Sequence, residues 1–114
     1  MEVRLFGSSA STVAGSTLVR PYTVLVAETQ LTISDAAVTV VLAAGAFSYL
    51  VQLKNTSAGG QVIRVGAVPT FAVTPKGIPL DPGDYLTWYG LGVSLAAIAS
   101  VAGGLLESFI VRTA

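Results

Sequence analysis

Few side chains in this sequence could do chemistry. Asp81 and Asp84 stand three residues apart, with Asp35 elsewhere. Paired carboxylates can serve acid–base chemistry or bind calcium. Calcium asks for about six to eight oxygen ligands, and the spacing has a simpler account as a turn. In Asp81-Pro82-Gly83-Asp84, Pro82 presets φ at the second position and Gly83 supplies a positive φ at the third. Asp81 is a favoured first turn residue. Gly92-Val93-Ser94-Leu95-Ala96 distantly matches a nucleophile elbow, a motif that requires a His base. The chain has no His and no Cys. That removes imidazole bases, thiol nucleophiles, thiolate zinc sites and disulfide frameworks. The expectation is a protein that is not an enzyme and uses no cofactor and no metal.

The remaining short motifs have structural readings. Asn55-Thr56-Ser57 fits a glycosylation acceptor, which matters only in a secreted eukaryotic protein. Glu2 and Arg4 with no long apolar run after them give no signal peptide, so Asn55 and Ser57 are read as turn formers. Gly59-Gly60 and Gly103-Gly104 lack the following Lys-Ser/Thr of a phosphate loop and read as hairpin turns. Tyr85, Trp88 and Tyr89 cluster; core packing is their default, and a protein-binding hot spot or sugar platform is the alternative. Arg4, Arg20, Arg64 and Arg112 are scattered, as expected of solvated residues or of pairs across an interface.

Composition narrows the partners. Six basic and six acidic residues give a formal net charge of zero. With no basic field, nucleic acid is not an expected partner. Charged residues make up 11% of the 114, and hydrophobic residues 53%. A chain this poor in charge tends to associate, so part of its apolar surface is expected to be covered by copies of itself, by another protein, or by lipid. Two uncharged tracts, 36–53 and 85–106, approach the length of a membrane span. The first contains Thr39, Gly45, Ser48 and Gln52, and the second is broken by Gly90, Gly92 and Gly103-Gly104. Neither is flanked by Lys/Arg clusters. A two-span membrane protein is therefore the third reading, behind two soluble ones.

The elements follow from alternation and turn residues. Strands are expected over 1–6, with Val3 and Leu5 on one face, and over 17–27, with Pro21 marking an edge or a bulge. Others are expected over 30–33, 37–42 and 47–54, where Phe47, Tyr49, Val51 and Leu53 share one side. A turn-rich loop over 55–60 and a return strand over 61–66, closed by Gly66, suggest a hairpin. Further strands are expected over 70–73, 85–89, 94–99 and 105–112, with a Gly/Pro-rich turn region starting at Gly77. The 91–101 segment is Ala-rich and has room for a helical turn. The small, polar segment 7–16 reads as an arm. Many short strands with frequent turns indicate a sandwich or small barrel. The expected fold is all-β: a single antiparallel β-sandwich over 17–114, open to a jelly-roll winding, with an extended N-terminal strand and arm over 1–16.

The second half carries a longer pattern. Leu53-Lys54-Asn55-Thr56-Ser57 is followed by Ile63-Arg64-Val65-Gly66, then Val73-Thr74, Gly77-Ile78-Pro79-Leu80, Asp81-Pro82-Gly83 and Leu95-Ala96-Ala97-Ile98-Ala99. This resembles small β-sandwich proteins and domains of tailed bacteriophage virions, over roughly residues 47–112. The chain departs from the pattern at Ser94-Leu95-Ala96, where an aromatic often sits, and in the longer final turn at 101–104. The resemblance implies a virion protein, assembled in the bacterial host cytoplasm, that acts as a capsid decoration, cementing or minor capsid subunit. Its expected partners are copies of itself, as a trimer, and the major capsid or another virion protein. Val3, Leu5, Phe6, Tyr85, Trp88 and Tyr89 are the candidate interface. The alternative is a tail or fibre module binding a host-surface receptor or glycan through the 55–60 loop and the aromatics near Trp88.

Overall fold

A computed structural model describes residues 2–6, 12–13, 16–17, 22–91 and 94–114, with side chains over 22–90 and 94–114. The described residues contain no helix. The described residues form eleven strands: β1 (Glu2–Phe6), β2 (Thr12–Val13), β3 (Ser16–Thr17), β4 (Tyr22–Ile33), β5 (Thr39–Leu42), β6 (Ser48–Asn55), β7 (Ile63–Thr70), β8 (Lys76–Leu80), β9 (Tyr85–Leu91), β10 (Leu95–Ala99) and β11 (Gly104–Thr113). They form a five-stranded sheet in the order β1-β9-β6-β11-β4 and a four-stranded sheet in the order β5-β10-β7-β8, with β2 and β3 as a separate two-residue ladder. The two sheets pack face to face as a β-sandwich.

From β4 onward the chain is a long antiparallel ribbon rolled on itself. The ribbon pairs its outermost strands, β4 with β11, then β5 with β10, β6 with β9 and β7 with β8. Rolling adds two seams, β11 to β6 and β10 to β7. Eight strands wound this way make a jelly roll. Consecutive strands therefore alternate between sheets except where β7 turns back into β8.

That winding corrects several local expectations. β6 and β7 are not a hairpin, since they lie in different sheets, and the 55–62 segment crosses between the sheets. The loop at Gly103 likewise crosses from β10 to β11 instead of making a hairpin turn. Alternation identifies a strand but says nothing about its partner. From Tyr22 on, the expected strands 17–27 and 30–33 are one strand, β4, bulged at Thr23 and Val26, which have no partner in β11, while Thr17 belongs to β3. No strand begins at Thr70; β7 ends there, and 71–75 is a loop. The Ala-rich 95–99 segment is strand, not helical turn. Pairing is antiparallel throughout except at one edge, where β1 runs parallel to β9 with Arg4 beside Thr87. The strand expected over 1–6 is thus an edge strand of the five-stranded sheet. Most of the arm expected over 7–16, and Pro21, lie outside the described residues.

The core sits between the sheets. Tyr49, Val51 and Leu53 of β6 point inward, and so do Leu106 and Ile110 of β11. Ile63 and Val65 of β7, Leu80 of β8 and Leu95, Ala97 and Ala99 of β10 meet them from the other side. Phe47, expected on the inner side, lies outside β6 and stacks its ring 3.8 Å from the Arg112 guanidinium. The described residues of both uncharged tracts form strands joined by loops, and no helix of the described residues is long and apolar enough to cross a membrane.

Candidate interaction surface

Two of the turn-forming candidates, Asn55 and Ser57, turn inward and hold the frame. Asn55 is fully buried at the end of β6. Its side-chain amide donates to the carbonyls of Gln61 at 2.7 Å and Leu80 at 2.8 Å, and its Oδ1 accepts the Ser57 N–H at 3.0 Å. Its main-chain carbonyl accepts from Gly83 N–H at 2.7 Å, and its N–H donates to Asp84 O at 3.0 Å. Asn55 therefore ties the inter-sheet crossing to the turn after β8. Ser57 Oγ accepts the Leu105 N–H at 2.9 Å, clamping the same crossing to the start of β11. Gln61 adds a bond from Nε2 to Ala102 O at 3.0 Å and accepts Gly59 N–H at 2.9 Å.

Asp81, Pro82 and Gly83 make a tight turn. Asp84 N–H donates to Asp81 O at 2.8 Å, and Gly83 has φ of 89°, the geometry of a type II turn. Asp84 Oδ2 accepts the Asp81 N–H at 3.1 Å. This carboxylate is thus engaged within the turn. Gly66 and Gly77 form no turn. They lie in β7 and β8, where residues 66–69 bulge opposite Gly77. A Cβ at Gly66 would come within 3.2 Å of Gly77 Cα, and Gly77 has φ of 95°. Their glycine character serves close backbone approach at a bulge.

The interface candidates divide. Val3, Leu5 and Phe6 are on β1, and their backbones pair with Leu86, Trp88 and Tyr89. Trp88 is opposite Val51 on the inner face and packs against the core, so it does not present a docking ring. Tyr85 and Tyr89 are on the outer face, where Tyr85 is 41% exposed. Tyr89 meets Tyr22 with ring centroids 6.4 Å apart. Burial, and secondarily Tyr89, raises the Tyr22 phenol pKa above its usual value. With Asn55 and Ser57 buried and Trp88 turned inward, the 55–60 loop and Trp88 do not form a common surface.

The two outer faces of the sandwich differ in chemistry. On the five-stranded sheet, Glu28, Gln30, Gln52, Lys54 and Glu107 point outward in neighbouring register positions. On the four-stranded sheet the outward positions are Val40, Ala96 and Gly66 in one row and Ile98, Arg64 and Pro79 in the next. Among these described residues Arg64 alone is charged, and it is pinned down. Its Nη1 donates to Gly77 O at 2.7 Å, its guanidinium lies 5.4 Å from the Phe71 ring, and its buried Nε has no partner. Val40 is 61% exposed and Val68 70%, and Val38, Phe71, Val73 and Val101 are exposed in or beside the adjoining loops. An apolar face of this kind is what a docking surface presents. The alternation of β10 gave a sign of it, since Ala96 and Ile98 are apolar on the side opposite Ala97; the Arg64–Phe71 contact had no sequence signal. Comparison with family models, curated proteins and solved structures finds no match to this chain.

Proposed function

We propose that this jelly roll is a structural subunit of a tailed-phage virion, a capsid decoration, cementing or minor capsid protein that acts by burial against its neighbours. The observation that carries the reading is the asymmetry of the outer faces: one bears Glu28, Gln30, Gln52, Lys54 and Glu107 beside Tyr85 and Phe109, while the other bears Arg64, with Lys76 at its margin, among mostly apolar positions. The jelly-roll winding is one that viral shell proteins use, and the resemblance over residues 47–112 points the same way. Burying an apolar face excludes water over Val40, Ile98 and Pro79 and needs no catalytic group. The partner is the shell or a second copy, with a trimer as the assembly state. β1, on an edge of the other sheet, is the segment through which the N-terminal region attaches by strand pairing.

Co-sedimentation with particles tests this. Val40→Asp and Val68→Asp should each keep a β circular dichroism spectrum and lose particle binding. Deleting residues 1–16 should likewise leave a folded domain that no longer binds. Full occupancy by these variants would overturn the proposal, and sedimentation equilibrium of the free protein reads the trimer directly.

A further inference from the structure

We infer that the outer face of the five-stranded sheet is a binding site for a neutral saccharide, centred on Tyr85, Gln52, Lys54, Glu107 and Phe109. This face is on the far side of the sandwich from the proposed docking surface, so either assignment can fail without the other.

Register sets the arrangement. Tyr85 is opposite Lys54, Lys54 opposite Glu107, and Glu107 opposite Gln30. One step along, Gln52 is opposite Phe109, and Phe109 opposite Glu28. The side chains surround an open trough of about 210 Å³ bounded by Gln52, Lys54, Tyr85, Glu107 and Phe109. A second depression, of about 430 Å³, continues it over Glu28 and Gln30, sharing Glu107 and Phe109. The Tyr85 and Phe109 rings are 41% and 38% exposed. They sit two strands apart, on the order of 10 Å across the sheet.

That combination matches the surface of a sugar. A pyranose has apolar C–H faces that lie on aromatic rings, and a rim of hydroxyls that both donate and accept. Tyr85 and Phe109 offer the rings. Gln52 and Gln30 offer amides that donate and accept together, Glu107 and Glu28 accept, and Lys54 donates. The two-part trough suits an oligosaccharide better than a single ring. Charge sets the class: the carboxylates of Glu28 and Glu107 outnumber Lys54, which favours a neutral chain over a polyanionic one. All these side chains are on regular strands, so the site needs little ordering when it binds.

The test is a ¹H–¹⁵N NMR titration of the full chain with neutral hexasaccharides of glucose, mannose, galactose and N-acetylglucosamine, and with an acidic one of galacturonic acid. At least one neutral chain should shift resonances of Gln52, Lys54, Tyr85, Glu107 and Phe109 at millimolar concentration. Phe109→Ala and Tyr85→Ala should each weaken it by about tenfold, the size of one lost aromatic contact, with an unchanged circular dichroism spectrum. Gln52→Ala, which leaves both rings, should also weaken it. No response to any neutral chain, shifts that survive removal of both rings, or equal binding of the acidic chain would overturn the assignment.

Discussion

Asn55 concentrates more structure than any other polar residue described here. Both of its amide N–H bonds and its Oδ1 are satisfied by groups from three places in the chain. Removing such a side chain leaves buried partners unpaired, at about 1–3 kcal/mol for each. Asn55→Ala should therefore lower stability by about 3 kcal/mol or more, read as a fall in urea midpoint with an unchanged m-value. Thr87 is the opposite case. It is 3% exposed, and its Oγ1 has no hydrogen-bond partner. Thr87→Val exchanges an unpaired hydroxyl for a methyl of the same shape and should stabilise by about 1 kcal/mol in the same assay. Tyr22 supplies a pH dependence. Because its folded pKa is raised, the neutral phenol is favoured in the native state. Its contribution is complete below the unfolded pKa and is lost as pH climbs through the folded one. Tyr22→Phe should therefore remove part of the loss of stability seen at strongly alkaline pH, followed by thermal melts across that range.

At the scale of elements, the glycines separate two kinds of need. Gly83 and Gly77 both have positive φ, at 89° and 95°. A Cβ at Gly83 meets open space, whereas one at Gly77 would come within 3.0 Å of Val65 O and 3.1 Å of Pro69 Cβ. Gly83→Ala should cost about 1 kcal/mol, the backbone preference alone. Gly77→Ala should cost clearly more, and equal losses in chemical denaturation would contradict the close-approach role. The same pair shows what the sequence could reveal. Asp81-Pro82-Gly83 was legible because a turn is a local event written in adjacent residues. The approach of Gly66 to Gly77 joins two strands through a bulge, and no local pattern encodes it. Strand existence was legible in the alternation of β6 and β11. Strand partners were not, because a side chain's in–out period is the same whichever strand lies beside it. The trough was hidden for this reason: Glu107 and Phe109 are far in sequence from Lys54 and Tyr85, and only the pairings of β6 with β9 and β11 bring them together.

For the whole molecule, the rolled ribbon makes the contacts long-range. β4 finds its partner only when β11 arrives, and every ribbon pair except β7 with β8 waits on strands between. Domains built on such pairings fold on the order of milliseconds to seconds, and stopped-flow refolding of this chain should fall at the slow end of that range. Three of the four sheet edges are interrupted: β4 and β5 carry bulges, and β8 carries Pro79 and Gly77 opposite the bulged 66–69 segment. Those interruptions discourage strand pairing between molecules at these edges. Association is thereby steered to the faces and to the β1 edge, in keeping with the contacts proposed above. One further property comes from where the ribbon's two ends meet. Tyr22, at the start of β4, is paired with Thr113, at the end of β11. A tension applied between those two residues would peel the ladder open one rung at a time, like a zip, and the domain should yield to modest force. The same tug delivered through a broad face has no single rung to start on, so a subunit gripped by its flat side would resist being torn loose far better than one tethered by its tips.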